Sequence, residues 1–143
     1  GPGELRGGLG IWRDIRVLCD GNYLTTRSEG QKRGTWGVLG GGEGAPARVF
    51  KNPGTRREAR LPGKRSDIPL RKGDVLSLRT PGGGGLGDRR RRDPERVAAD
   101  IANGKITPEH ARKAYHFSPP RPRGGKAAYP FSPPRPRRGR GPG

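Results

Sequence analysis

The sequence has no methionine, a single cysteine, three phenylalanines, three tyrosines and two tryptophans. Without a methionine the chain does not open on an ordinary initiator. It begins in mid-pattern with Gly1-Pro2-Gly3-Glu4-Leu5-Arg6-Gly7-Gly8, so a fragment or a processed piece is expected. The lone Cys19 excludes an internal disulfide. Its place beside the run Ile15 to Leu18 predicts a small buried hydrophobe rather than a nucleophile, which needs a base and an electropositive setting. No stretch approaches the roughly 20 apolar residues that cross a bilayer, and nothing resembles a secretory leader. A soluble cytoplasmic protein with no membrane association is the expectation. Only 27% of residues are hydrophobic, where soluble domains carry roughly half apolar residues with glycine included. A sizeable core is therefore excluded.

What is abundant is glycine, proline and positive charge. The 27 glycines and 16 prolines make up about 30% of the 143 residues, the level of loop-dominated chains. The formal charge is +18, which invites a polyanion reading, since clustered Lys and Arg release counterions from phosphates. From His116 onward there are seven basic residues and no acidic one; residues 1 to 115 hold 24 basic and 13 acidic residues, leaving +11. The dense block is Arg89-Arg90-Arg91-Arg92. No zinc-finger spacing, aromatic RNA-binding signature or basic zipper accompanies it. Weak, non-specific binding to nucleic acid or acidic partners is what such a block implies.

Patterning favours short strands. Ile11, Ile15 and Val17 share a face by the two-residue period, Asp20-Gly21-Asn22 signals a turn, and Tyr23 to Thr26 suits a returning strand, so a hairpin is expected. Further strands are predicted at Arg48 to Lys51 and Asp74 to Arg79, the latter with Leu76 and Leu78 facing one way and Ser77 and Arg79 not requiring burial. Asp93-Pro94-Glu95 starts a helix that Asn103-Gly104 stops, with Val97, Ala98 and Ile101 on its apolar face. Thr107-Pro108-Glu109 starts another. From Tyr115 a fourteen-residue tandem repeat rich in proline and arginine follows, the composition of a disordered basic tail. The fold class is thus mainly β with two short C-terminal helices, a small loop-rich, glycine-rich module over residues 1 to 115 and a low-complexity tail over 116 to 143.

The run Gly82-Gly83-Gly84-Gly85-Leu86-Gly87 satisfies a dinucleotide-type glycine pattern, but four consecutive glycines satisfy most such patterns. Pyrophosphate binding needs a helix opening on the glycines, and the first helix start is at Asp93; no Lys-Ser or Lys-Thr follows, as a Walker-type loop requires. Gly82, Gly83, Gly84, Gly85 and Gly87 instead predict a backbone that turns sharply or passes close to another surface, with anion contact by its amides a secondary role. Asp74, Asp88 and Asp93 occupy turn and cap positions rather than forming a carboxylate pair. His110 belongs at a helix start, His116 at the tail's edge, and the two lack the partners of a zinc site. Trp36, framed by glycines, is expected to anchor a loop on a small core. No catalytic, cofactor-binding or metal-ligating residue is assigned.

Several ordered motifs carry a family resemblance: Arg6-Gly7-Gly8-Leu9-Gly10, Thr35-Trp36-Gly37-Val38-Leu39-Gly40-Gly41, Leu61-Pro62-Gly63-Lys64, Arg71-Lys72-Gly73-Asp74-Val75, Thr80 to Asp88, and Arg92-Asp93-Pro94-Glu95 followed by Thr107 to Arg112. By these the chain resembles the carboxyl-terminal region of the hydantoinase B/oxoprolinase family, which includes large subunits of N-methylhydantoinases, 5-oxoprolinases, and acetone and acetophenone carboxylases. The resemblance covers Gly1 to about Tyr115. It implies an actin-like ATPase-type hydantoinase A partner that uses ATP to phosphorylate a carbonyl, while the subunit resembled here completes ring opening or carboxylation. It implies ATP and a divalent metal for the complete complex, with metal-binding residues upstream of Gly1. Leu18 to Asn22 and Lys64 to Pro69 look like the carboxylase branch. Arg89-Arg90-Arg91 stands where the family usually has Pro-Leu-Glu, and the repeat replaces a short apolar end.

Overall fold

The structure is a computed structural model that describes residues 1–118. The elements in order are β1 (Trp12–Arg16), β2 (Asn22–Arg27), β3 (Arg48–Lys51), β4 (Ala59–Leu61), β5 (Lys64–Leu70), β6 (Val75–Arg79), α1 (Pro94–Ala102) and α2 (Pro108–Tyr115). Mainly β with two short helices is the observed class. The chain forms two compact units: one holds Gly1–Leu9, Trp36–Gly44 and the described residues from Gly83, the other Gly10–Thr35 and Ala45–Gly82. The proposed tail lies outside the described residues beyond its first three.

The unit Gly10–Thr35 with Ala45–Gly82 is the β unit. Its four-stranded sheet has the order β1-β6-β3-β4, and β2 and β5 pair separately; all the pairings are antiparallel. Val17, Val49, Leu61, Ile68, Leu70 and Leu76 form the core, with Leu24 and Leu78 against it. The expected β1–β2 hairpin does not form. β2 pairs with β5, placing Leu24 opposite Ile68, while β1 pairs with β6, placing Ile15 opposite Leu76. The Asp20-Gly21 turn is real, with Gly21 at φ 80, but it carries the chain between sheets, because β2 finds its apolar partner only in β5. β5 holds Pro69 at a site a two-stranded ribbon tolerates, since its outer edge needs no donor.

Burial departs from the sequence pattern at three places, and at Cys19 it overturns an expected burial. Every residue of β1 is exposed, Ile15 included, because β1 is an edge strand. Cys19 follows it onto the surface, where its sulfur accepts from Asn22 Nδ2 at 3.3 Å. Ser77, whose burial the pattern did not require, is wholly buried, and the Trp12 indole donates to its hydroxyl at 2.8 Å. The Arg79 guanidinium stacks 4.1 Å from the Trp12 ring and 4.8 Å from Phe50, so this face of β6 is packed by aromatic and cation rather than left to water.

In the other unit the helices match their sequence signals. Asp93 accepts from the Glu95 amide to cap α1, and Thr107 accepts from the His110 amide to cap α2. His116 ends α2 in the left-handed region at φ 54. Val97 and Ile101 pack with Ala111, Ala114 and Tyr115. Ala98, however, is exposed, and the third buried residue of α1 is Asp100.

Candidate functional site

Three extended segments carry the glycines of the helical unit. Gly1 to Leu9, Trp36 to Gly44 and the run from Gly83 lie against one another and bond through their backbones. The Gly83 amide donates to the Gly8 carbonyl, Gly85 to Gly42, Gly42 to Pro2, and Gly87 to Val38. Leu5 and Leu86 exchange both bonds at 2.9 Å. A methyl group on Gly84 would overlap the Trp36 carbonyl oxygen, on Gly85 the Pro2 carbonyl, on Gly41 the Gly85 carbonyl, and on Gly7 the Gly83 carbonyl. Backbone therefore fills the interior here, where other proteins use side chains. The close approach expected of the run is present. The sharp turn is not: within the run only Gly87 has a positive φ, of 75. Gly82 closes the β unit, its amide donating to Ala45. An anion at these glycines would have to compete with the carbonyls that already hold the amides of Gly82, Gly83, Gly85 and Gly87.

The arginine block does not present one basic face. Arg89–Arg91 form a 3-10 turn capped by Asp88. The Arg90 side chain donates to Asp88, which lowers that carboxyl's pKa. Arg91 reaches Glu4 at 3.5 Å. Arg92 turns inward, with its side chain 7% exposed: it bonds Asp100 at 2.6 Å and the Glu4 carbonyl at 3.1 Å, and lies over the Tyr115 ring. Asp100 also receives Arg6 Nε at 3.0 Å. This buried carboxylate ties the first glycine segment to α1 and to the arginine turn. Sequence patterning missed Asp100, although its spacing of three from Val97 places it on the apolar face.

The β unit has a matching centre at Asp74. Its side chain is 1% exposed and meets Lys51 Nζ at 3.0 Å, Asn52 Nδ2 at 2.8 Å and the Arg71 amide at 2.9 Å. Burial pushes its pKa up, but the bonds from Arg71, Asn52 and Lys51 outweigh that and bring it down to about 2. Asn52 also accepts from the Val75 amide while sitting at φ 54, a conformation asparagine tolerates. Asp74, Asp88 and Asp93 all have structural partners and are not brought together. Burial, with the charges of Gly1 and Arg6, lowers the His110 pKa; its ring meets Tyr115 edge-on at 6.4 Å. Trp36 is 81% exposed rather than seated on the core of the described residues; its carbonyl abuts the glycine run.

In the β unit a cavity of about 840 Å³ opens between residues 28–33 and 60–64. Lys32, Arg33, Arg60 and Lys64 line it with a single carboxylate, Glu29. The buried Gln31 Nε2 has no acceptor among the described residues. Among those residues no group of three His, Cys, Asp or Glu side chains is placed to hold a metal ion, and no helix is long and apolar enough to cross a membrane. Among the described residues the donor set thus does not fit a divalent metal, and in the glycine run the amides of Gly82, Gly83, Gly85 and Gly87 are held by carbonyls rather than turned to a nucleotide.

The hydantoinase B/oxoprolinase family profile matches residues 1–89. A putative D-/L-hydantoinase B-type subunit of Pseudomonas sp. (strain NS671) is 33% identical over 115 residues, 80% of this chain and 19% of that protein. An uncharacterized protein of Methanocaldococcus jannaschii is 35% identical over 117 residues, 80% of this chain and 20% of that one. Among solved structures, the ATP-dependent caprolactamase from Pseudomonas jessenii is similar at a TM-score of 0.63 and 25% identity, over 84% of this chain and 21% of that chain. The chain spans about a fifth of the length of the curated relatives it matches.

Proposed function

Because the chain belongs to the hydantoinase B/oxoprolinase family, we propose that it serves as the carboxyl-terminal, glycine-packed part of a subunit in a cytoplasmic ATP-dependent cyclic-amide hydrolase. The substrate class is a hydantoin, 5-oxoproline or a related lactam. A carboxylase of the acetone or acetophenone type is the alternative within the family. One observation carries a structural rather than catalytic role: the buried carboxylates Asp74 and Asp100 are each neutralised by cations of their own unit, and glycine backbone occupies the space between the segments. Carboxylates so paired and buried serve to fasten segments together. The chain's contribution is structural, through the glycine-packed segments of one unit and the strand core of the other. ATP and a divalent metal act in the remainder and in an actin-like ATPase partner. The test is turnover of hydantoin, 5-oxoproline and caprolactam by the purified chain with ATP and magnesium. None is expected. Turnover without any partner overturns the proposal.

A second reading, weak polyanion binding, is favoured by the cavity lined by Lys32, Arg33, Arg60 and Lys64 rather than by the arginine block. Binding that weakens steeply with salt supports it; no affinity for heparin or RNA at low salt removes it.

A further inference from the structure

Three of the exposed apolar side chains of the helical unit are brought together by its backbone pairing. Leu5 is 50% exposed, Val38 52% and Leu86 39%. These are not scattered: Leu5 bridges Leu86 in antiparallel fashion and Val38 bridges Leu86 in parallel. Directly paired residues present their side chains on the same face, so Leu5, Leu86 and Val38 form a row across the three glycine-bearing segments. Contiguous exposed apolar surface marks a contact with another body.

Leu39, next after Val38, is the more informative residue. The Gly41 amide donates to the Val38 carbonyl at 3.0 Å across Leu39 at φ 49 and Gly40 at φ 87, a turn with both central residues left-handed. Such turns take asparagine, aspartate or glycine at the first of these positions. A leucine there is conformationally unfavourable, and at 81% exposure its side chain gains almost nothing from this module in return. A residue that costs stability in both backbone and solvation is explained by a contact outside the module.

We propose that the row Leu5, Leu86 and Val38, together with the exposed Leu39 that follows Val38, is the seat on which the larger part of a family subunit packs. This rests on the reading above. The occupant is set by size: the caprolactamase holds a similar fold within a chain of which this match covers 21%, and the hydantoinase relative matches over 19% of its length. The other four fifths of such a subunit is a body large enough to cover the row with its own apolar surface.

The test compares one substitution in two settings. In the isolated 143-residue chain, Leu39→Asn removes the unfavourable leucine from the turn and raises the melting temperature. The second setting is the Pseudomonas hydantoinase subunit with its matching segment exchanged for residues 1–115 of this chain. There Leu39→Asn, and more so Leu39→Asp, lowers the melting temperature, and Leu5→Asp combined with Leu86→Asp lowers it further. Equal effects of Leu39→Asn in the two settings overturn the seat while leaving the proposed function standing. A chimera that neither assembles nor gains activity with its partner overturns both. Dimerisation of the isolated chain that Leu39→Asn abolishes would make a second copy the occupant, and also overturns the assignment.

Discussion

At the scale of single residues, the glycines divide into those that contact backbone and those that do not, and sequence alone cannot separate them. Gly84 and Gly85 sit in the run that a motif search would notice, and a Cβ on either would overlap a carbonyl of another segment. Backbone cannot swing aside as a side chain can. Gly84→Ala or Gly85→Ala should therefore cost at least about 3 kcal/mol in urea unfolding of the helical unit. Gly8 belongs to an equally conspicuous pair, yet a Cβ there meets nothing within 4 Å and its φ is not positive. Gly8→Ala should fall within about 0.5 kcal/mol of the parent. The run announced close approach through its composition. Which carbonyl each glycine meets depends on segments more than forty residues away in sequence.

At the scale of elements, local signals succeeded where the element closes on itself. Both helices begin at an Asx or Thr cap followed by proline, and both were legible. Asp93→Ala, which removes the side chain that accepts from Glu95, should lower stability by about 1 kcal/mol in thermal melts of the chain. Strands were legible as segments but not as pairs: the β1–β2 proximity in sequence suggested a hairpin that the apolar partners of β2 and β1 do not allow. The Asp74 centre, which fastens β3 to the start of β6, shows the same limit. Aspartate beside Gly73 looked like an ordinary turn residue, and only the return of Lys51 and Asn52 makes it a buried charge. Its pKa lies at about 2 in the folded chain against an ordinary 3.8. A depressed carboxyl pKa stabilises above the unfolded value and loses that stabilisation as pH falls through the folded one. Stability of the β unit should thus drop between about pH 4 and pH 2 by on the order of 2 kcal/mol. Asp74→Asn should flatten that part of an acid titration followed by circular dichroism.

At the scale of the whole molecule, charge is the dominant property and the structure redistributes its meaning. Arg92, one of four arginines in the densest basic block, is engaged inside by Asp100, and Arg90 by Asp88. At the cavity Lys64 pairs with Glu29 at 3.2 Å, and Lys32, Arg33 and Arg60 supply the rest of its positive lining. If polyanions bind, replacing Arg33 and Arg60 together with alanine should lower the slope of log affinity against log salt by about 2, whereas Arg92→Ala should lower stability instead. Filter binding to RNA at several salt concentrations distinguishes these. The sequence by itself determined the family, the mainly β class, the helix starts and the glycine-lined passage, because each is written in contiguous residues whose local chemistry is sufficient. Tertiary structure alone decided which strands pair, which glycines meet backbone, and that Asp100, Ser77 and Asp74 are buried while Cys19, Trp36 and Leu39 face outward. Those outcomes depend on what a distant segment brings to each residue, and burial is a property of the partner as much as of the side chain.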